Sequence, residues 1–273
     1  MRIGITYTFL RKEELMLRDR ARRYGDVYML HEDSIYFPNR LDLDLVIVRN
    51  IGFYKALYIS RLFEETGATV VNPYRVILEA GDKLYATMRL MDRVEVPRWG
   101  VAFTYNGVKS IVEDIGFPVV LKPVIGSWGR LLSRINDYDA LEAVIEHKGW
   151  LQNPIHRIYF IQEYVEKPGR DIRSHVIGGE YVAAIYRVSD HWITNTSRGG
   201  RAEPCDRDDV AEVSLRAWEA FGEGALAFDI LEDGDRLLVN EVNPLMEFRN
   251  VVRVTGRDIA GKIIEYAVGV ARR

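Results

Sequence analysis

The chain has 273 residues, of which 48% are apolar and 28% charged, with a net charge of −3. That balance suits a water-soluble protein of one to three compact units and gives no bulk attraction to nucleic acid. The single cysteine, Cys205, excludes an internal disulfide framework and a cysteine zinc site within the chain. No apolar run approaches about 18 residues and the N-terminus lacks a signal-peptide pattern, so a cytoplasmic protein with no membrane role is expected.

Residues 1–7 read as an opening strand, 11–23 as an Arg- and Glu-rich helix and 27–30 as a second strand. The apolar run 45–49 has the continuity of a buried parallel strand. A helix over 54–66 closes at Gly67, and 69–73 is the next strand. This alternation predicts a small βαβ domain over residues 1–80. Residues 74–91 read as one helix carrying Lys83, and Pro97 and Thr104 frame a short strand and a helix near 105–115. Residues 117–123 form an apolar strand ending in Lys122, followed by the loop Gly126-Ser127-Trp128-Gly129-Arg130. A helix over 136–148 and a strand over 159–165 complete a central unit, 81–163. Strands over 171–177 and 181–187 join at Gly178-Gly179 as a tight hairpin. Helices over 207–221 and 257–270 belong to a C-terminal unit, 164–273.

Within that unit, 237–244 is an apolar run delivering Glu241 and Asn243. Residues two apart on a strand share a face, so these two project side by side. Asp229, in another short strand-like run, supplies a third oxygen ligand. Two carboxylates and an amide make a hard-cation set suited to magnesium once nucleotide phosphates complete the shell. Lys122 ends its strand as an ammonium for those phosphates, and Gly126 and Gly129 let backbone approach phosphate oxygens. Gln162-Glu163-Tyr164-Val165 offers backbone groups and apolar walls to a purine. Arg170, Arg173, Arg187, Arg198 and Arg201 supply guanidinium forks for phosphate or carboxylate, beside the polar loop 194–200. Each signal alone is compatible with a solvated strand end or surface; their order along the chain gives them weight.

Taken in that order, Lys83, Lys122, the 126–130 loop, 162–165, Arg173, Arg187, Asn195, Asp229, Glu241 and Asn243 resemble the ATP-grasp ligases across most of the chain. The segments 126–130, 166–173 and 192–200 look like the LysX/ArgX ligases, relatives of the RimK-type glutamate ligases. The resemblance implies an α+β ATP-grasp fold, with ATP and Mg2+ as cofactors. It implies a ligase that joins the α-amino group of α-aminoadipate, or of glutamate, to the C-terminal glutamate side chain of LysW, a small acidic carrier protein, in lysine and arginine biosynthesis. ATP would phosphorylate the carrier's γ-carboxylate, and the amine would attack the acyl phosphate. Magnesium would sit on Asp229, Glu241 and Asn243. Lys83, Lys122, Gly126, Ser127, Trp128, Gly129, Arg130, Gln162, Glu163, Tyr164, Val165, Arg173 and Asn195 would hold the nucleotide. Lys122 and Arg187 would be catalytic, with Arg187, Thr196 and Ser197 on the substrate and no side-chain nucleophile.

Substrate choice is expected in Glu247-Phe248-Arg249-Asn250, where glutamate-using members tend to show Gly-Phe. Glu247 is expected to pair with Arg249 or Arg253, and Arg249, Arg253 and Arg257 to offer a basic face to the carrier. A RimK-type ligase using another acceptor and a non-catalytic nucleotide-binding regulator are the alternative readings. Homo-oligomerisation is left open.

Overall fold

The computed structural model describes residues 1–38, 41–126, 128–194 and 199–273. The first sheet has strands β1 (Arg2–Tyr7), β2 (Asp26–His31), β3 (Leu45–Arg49) and β4 (Thr69–Val71), all parallel in the order β2-β1-β3-β4. Every residue of β3 is buried, as its unbroken apolar run requires. Helices α1 (Lys12–Ala21) and α2 (Phe53–Glu65) make the crossovers. The chain leaves β1 toward β2 and leaves β3 toward β4, in opposite directions. The carboxyl ends of β1 and β3 therefore form a topological switch point, where open α/β sheets take ligands.

The helix expected over 74–91 is two helices, α3 (Tyr74–Gly81) and α4 (Lys83–Leu90). Asp82 breaks it: its carboxylate accepts from the Leu84 and Tyr85 amides and caps α4, while the freed Lys83 amide donates to the Val124 carbonyl at 2.8 Å. Gly81 is needed beside the break, because a Cβ there would lie 2.7 Å from the Phe53 ring.

The second sheet is antiparallel, β5 (Trp99–Ala102), β6 (Val119–Lys122), β7 (Ser133–Ile135) and β8 (Tyr159–Glu163), in the order β5-β8-β6-β7. Helices α5 (Tyr105–Ile115) and α6 (Tyr138–Gly149), capped by Thr104 and Asp137, bury their apolar stripes against it. The third sheet, also antiparallel, has β9 (Arg170–Ile177), β10 (Glu180–Val188), β11 (Arg201–Cys205), β12 (Ala225–Asp233) and β13 (Arg236–Asn243), in the order β11-β10-β9-β12-β13. Gly178 and Gly179 turn the β9–β10 hairpin with φ of 59° and 85°, the left-handed pair a two-residue turn demands.

One face of the third sheet packs on α3, α4 and α7 (Asp208–Glu219) through Ile172, Val176, Leu226 and Phe228. The other face holds Ile177, Ala183, Ile185, Ala225 and Ala227 against β1, β3 and α9 (Ile259–Ala271). Asn72, just past β4, ties the sheets together. Its side-chain amide donates to the Ala225 carbonyl at 2.8 Å and the Pro244 carbonyl at 2.5 Å, and accepts from the Ala225 amide at 2.7 Å. A short helix after β13, α8 (Arg249–Thr255), was not expected from the sequence. No helix among the described residues is long and apolar enough to cross a membrane.

Candidate active site

The second face of the third sheet changes character along its strands. Beyond Ala225, Ala227 and Ala183 come Arg173, Asp229 and Glu241, with Ile185 in the same row, and then Asp171 and Arg187. The register is direct: Asp229 lies opposite Arg173 on one side and Glu241 on the other, and Arg187 lies opposite Asp171. Residues opposite one another share a face, so strand pairing alone assembles this charged row. Above it lies an open cleft, bounded on the far side by β6, β8 and the loop after β6. A cleft between two sheets with converging charged groups is the usual form of a small-molecule site.

Of the residues expected to bind nucleotide, Lys83, Lys122, Gly126, Gly129, Arg130, Glu163, Tyr164 and Val165 line the cleft, with Arg187, Asp229 and Glu241. Lys83 and Lys122 are each 7% exposed, which places their ammonium groups in a protein interior. Lys83 donates to the Gly126 carbonyl at 2.8 Å and lies 3.2 Å from Glu241, so it joins the glycine loop to the carboxylate row. Lys122 donates to Gln162 Oε1 and, at 2.7 Å, to Asn240 Oδ1. Burial, reinforced by Lys83 and Lys167 and opposed by Glu241, pulls the Lys122 ammonium down to about 7.

Asp229 takes Arg173 bidentately at 2.7 and 2.8 Å and Arg187 at 3.0 Å. Burial disfavours its charge, but the two guanidinium groups outweigh that and hold the carboxyl well below the usual range. Burial likewise disfavours the Arg187 guanidinium, and Asp171 and Asp229 overcome it and keep it charged. Asp229 and Glu241 face one another with oxygen ligands of the kind a hard cation takes, although Arg173, Arg187 and Lys83 now pair with them. Asn243, expected as the third ligand, lies one row along opposite Ala227 and does not line the cleft. Among the described residues no three His, Cys, Asp or Glu side chains form a metal-holding group, so an ion here needs the amide and phosphate oxygens as well.

Several expected placements differ. The 162–165 backbone is partly used: the Glu163 amide donates to the Arg98 carbonyl at 2.8 Å and the Tyr164 amide to the Pro118 carbonyl at 3.0 Å. Among the described residues this leaves Val165 N–H without a protein acceptor. Gln162 sits behind the cleft, and Arg173 meets it only through Asp229. Trp128 lies outside and carries the Arg130 guanidinium on its ring, 4.9 Å from the centroid. Arg170 pairs with Glu232 at 2.7 and 3.0 Å and covers Tyr186, away from the cleft, and Arg201 pairs with Glu203 in solvent. Ser127, Asn195, Thr196, Ser197 and Arg198 lie outside the described residues.

The 247–250 segment does not line the cleft. Phe248 is fully buried in the same core as Ile3 and Met246, with the Arg49 guanidinium 5.5 Å from its ring centroid, so it packs rather than reads a ligand. Glu247 pairs with Arg11 at 3.2 Å, not with Arg249 or Arg253: α1, folded against the start of α8, brings its own arginine closer. Arg249 is exposed and its amide donates to Glu13; Asn250 is half-buried at the first turn of α8.

Sequence reasoning gave no site role to Lys167, Asp171 or Asn240, and placed Thr194 only within the polar loop 194–200. Lys167 Nζ donates to Thr194 Oγ1 at 2.8 Å and lies 3.6 Å from Asp171. Asp171 carried a signal, being an acid two residues before Arg173 in a buried strand. Asn240 carried none. Strict alternation turns it away from Glu241, but Asp229 pairs with Glu241 and Ile230 with Val239, so Asn240 is the extra residue of a β-bulge.

The comparisons agree with this geometry. Residues 80–267 match the RimK-like ATP-grasp domain, and the chain belongs to that family. It is 36% identical to the alpha-aminoadipate–LysW ligase LysX of Sulfurisphaera tokodaii, covering 97% of each chain. It is 30% identical to the glutamate–LysW ligase ArgX of Sulfolobus acidocaldarius, over 97% of this chain and 98% of that one. A RimK-domain ATP-grasp protein from Sphaerobacter thermophilus superimposes with a TM-score of 0.82 at 23% identity, over 98% of this chain and all of the other, and so shares the fold.

Proposed function

We propose that this chain is an ATP-dependent carboxylate–amine ligase. It joins the α-amino group of α-aminoadipate, and of glutamate at lower efficiency, to the C-terminal glutamate γ-carboxylate of a small acidic carrier of the LysW kind. Likeness to both LysX and ArgX over nearly the whole chain supports the substrate class. The observation that carries the chemistry is the convergence on one cleft of two carboxylates, Asp229 and Glu241, with the cations Lys83, Lys122 and Arg187, and with Arg173 behind Asp229.

In this reading residues 81–163 cover the nucleotide as a lid and 164–273 carry the charged row. Lys83 and Lys122 neutralise ATP phosphates, and the 126–130 backbone approaches them. Val165 and Tyr164 meet the base. Asp229, Glu241 and Asn243 would hold magnesium, whose chemistry is to spread the negative charge of phosphate oxygens during transfer. Arg187 shifts from Asp229 to the acyl phosphate and holds its charge while the amine attacks. The γ-phosphoryl group leaves ATP for the carrier carboxylate, giving ADP. The amine then forms the amide and expels phosphate with loss of a proton. Positioning and electrostatics supply the acceleration without a side-chain nucleophile.

The test is a competition assay with ATP, Mg2+, the carrier and equal α-aminoadipate and glutamate, read by mass spectrometry of the carrier. The expected product is mainly the α-aminoadipyl adduct with a minor glutamyl adduct. A pocket that only measures one methylene separates them by about 1–3 kcal/mol, so some leakage is expected. An unmodified carrier would reject the assignment.

A further inference from the structure

At the boundary between the charged row and the apolar core, three contacts tie α1 and β3 to the chain just past β13. Arg49 donates to the Met246 carbonyl at 2.8 Å, Glu13 accepts from the Arg249 amide at 3.3 Å, and Arg11 meets Glu247 at 3.2 Å. Arg49 is fixed: it is 5% exposed, bonded to Glu14 and packed on Phe248. Arg11 is different. It stands at the switch point past the carboxyl end of β1, with 24% of its side chain exposed. Its Nε and Nη2 are held by Glu14, which orients the fork, while Nη1 reaches the half-exposed carboxylate of Glu247. A fork aimed by one buried acid and closed by a solvent-accessible one is a carboxylate receptor already occupied by a stand-in.

Its position relative to the charged row can be read from the register. His175 is two residues beyond Arg173 on the same strand face, and Ala227 two before Asp229, so one row separates them, about 7 Å along the strands. His175 Nε2 lies 3.5 Å from the Glu247 carbonyl, which puts the Glu247 backbone beside that next row. The segment carrying the partner of Arg11 therefore begins one strand row from Asp229.

We infer that Arg11 is the specificity-determining residue that binds the distal carboxylate of the amino-acid substrate, displacing Glu247, while the α-amine points toward Asp229 and Arg187. The inference rests on the ligase reading above. It places selection of the dicarboxylic end on the first sheet's switch point, with Glu247 setting how readily the fork is released.

The test is steady-state kinetics of wild type, Arg11→Gln, Arg11→Lys and Glu247→Gln with ATP, carrier and glutamate or α-aminoadipate, with glutamine as the uncharged-end control. Arg11→Gln should raise the amino-acid KM at least tenfold, leave the ATP KM within twofold, and narrow discrimination against glutamine at least tenfold. Arg11→Lys should fall between. Glu247→Gln, at a half-exposed site that tolerates the change, should lower the amino-acid KM, because the fork no longer has to leave a carboxylate. An unchanged amino-acid KM in folded Arg11→Gln overturns the inference. So does a Glu247→Gln variant whose amino-acid KM rises, since that marks the pair as structural. If Arg11→Gln fails to fold, Glu247→Gln alone decides. Absence of ligation by wild type is a different result, and it sinks the ligase reading itself.

Discussion

One face of the third sheet carries two regions of opposite character. From Asp171 to Glu241 it presents acids and guanidinium groups to a cleft; two to four residues further along the same strands it presents Ala227, Ala183, Ala225 and Ile177 to an apolar core. The backbone is continuous through both. What differs is what lies above: a solvent-reached cleft and β6–β8 in one case, β1, β3 and α9 in the other. Strand register alone thus delivers reactive groups and packing groups side by side. Changing the first region should alter chemistry with little effect on stability, and changing the second should do the reverse.

The largest separation is expected from Phe248 and Glu241. Phe248→Ala removes a fully buried ring and should cost about 3–5 kcal/mol of stability, measured by denaturant unfolding, with kcat of the folded fraction nearly unchanged. Glu241→Gln should leave the unfolding midpoint nearly in place and lower turnover about a thousandfold, roughly 4 kcal/mol of transition-state stabilisation, measured by ADP release. A Glu241→Gln protein with wild-type turnover would remove Glu241 from the chemistry.

A smaller effect comes from Lys122. Its ammonium is held near 7 when the cleft carries no phosphate, and bound phosphates favour the charged form. ATP binding should therefore take up a proton above pH 7, and ATP affinity should weaken with rising pH, by at most about tenfold per unit, until the bound-state pKa is passed. Below pH 7 this group adds no pH dependence. In the ligand-free protein the sign is opposite for stability. Between about 7 and the ordinary 10.5 the unfolded chain holds a proton that the folded one has lost, so this lysine makes stability rise with pH. Calorimetry in two buffers of different ionisation enthalpy at pH 8 measures the uptake, and equal observed heats of ATP binding in the two buffers would contradict it.

The smallest effect concerns the exposed arginines Arg249, Arg253 and Arg257, outside both regions. If they attract an acidic carrier, its KM should rise a few-fold between low and molar salt, where the Debye length falls to about 3 Å, while the ATP KM changes less. Equal salt effects on both would count against docking there.

Much of this was legible in the sequence. The continuous apolar run of β3, the Gly178-Gly179 turn and the two-residue spacing of Glu241 and Asn243 each express a local rule. What was illegible depends on neighbours far along the chain or on breaks in a rule. Pro204 hides β11, because proline argues against a strand unless the strand is at an edge, where β11 lies. β7 is three residues long, too short to show a period. The helix break at Asp82 serves a contact with Val124. Asn240 enters the site only through a bulge, and the Arg11–Glu247 pair joins residues 236 apart.

The most direct test of the charged row's role is to trap what it makes. Wild-type protein, carrier, ATP and Mg2+ are incubated with hydroxylamine and no amino acid, and the carrier's mass and the ADP formed are measured. The account predicts a hydroxamate on the carrier's C-terminal glutamate in step with ADP, and neither with Glu241→Gln. ADP release without carrier hydroxamate, or a hydroxamate of the amino acid formed when that is supplied instead of carrier, would contradict it.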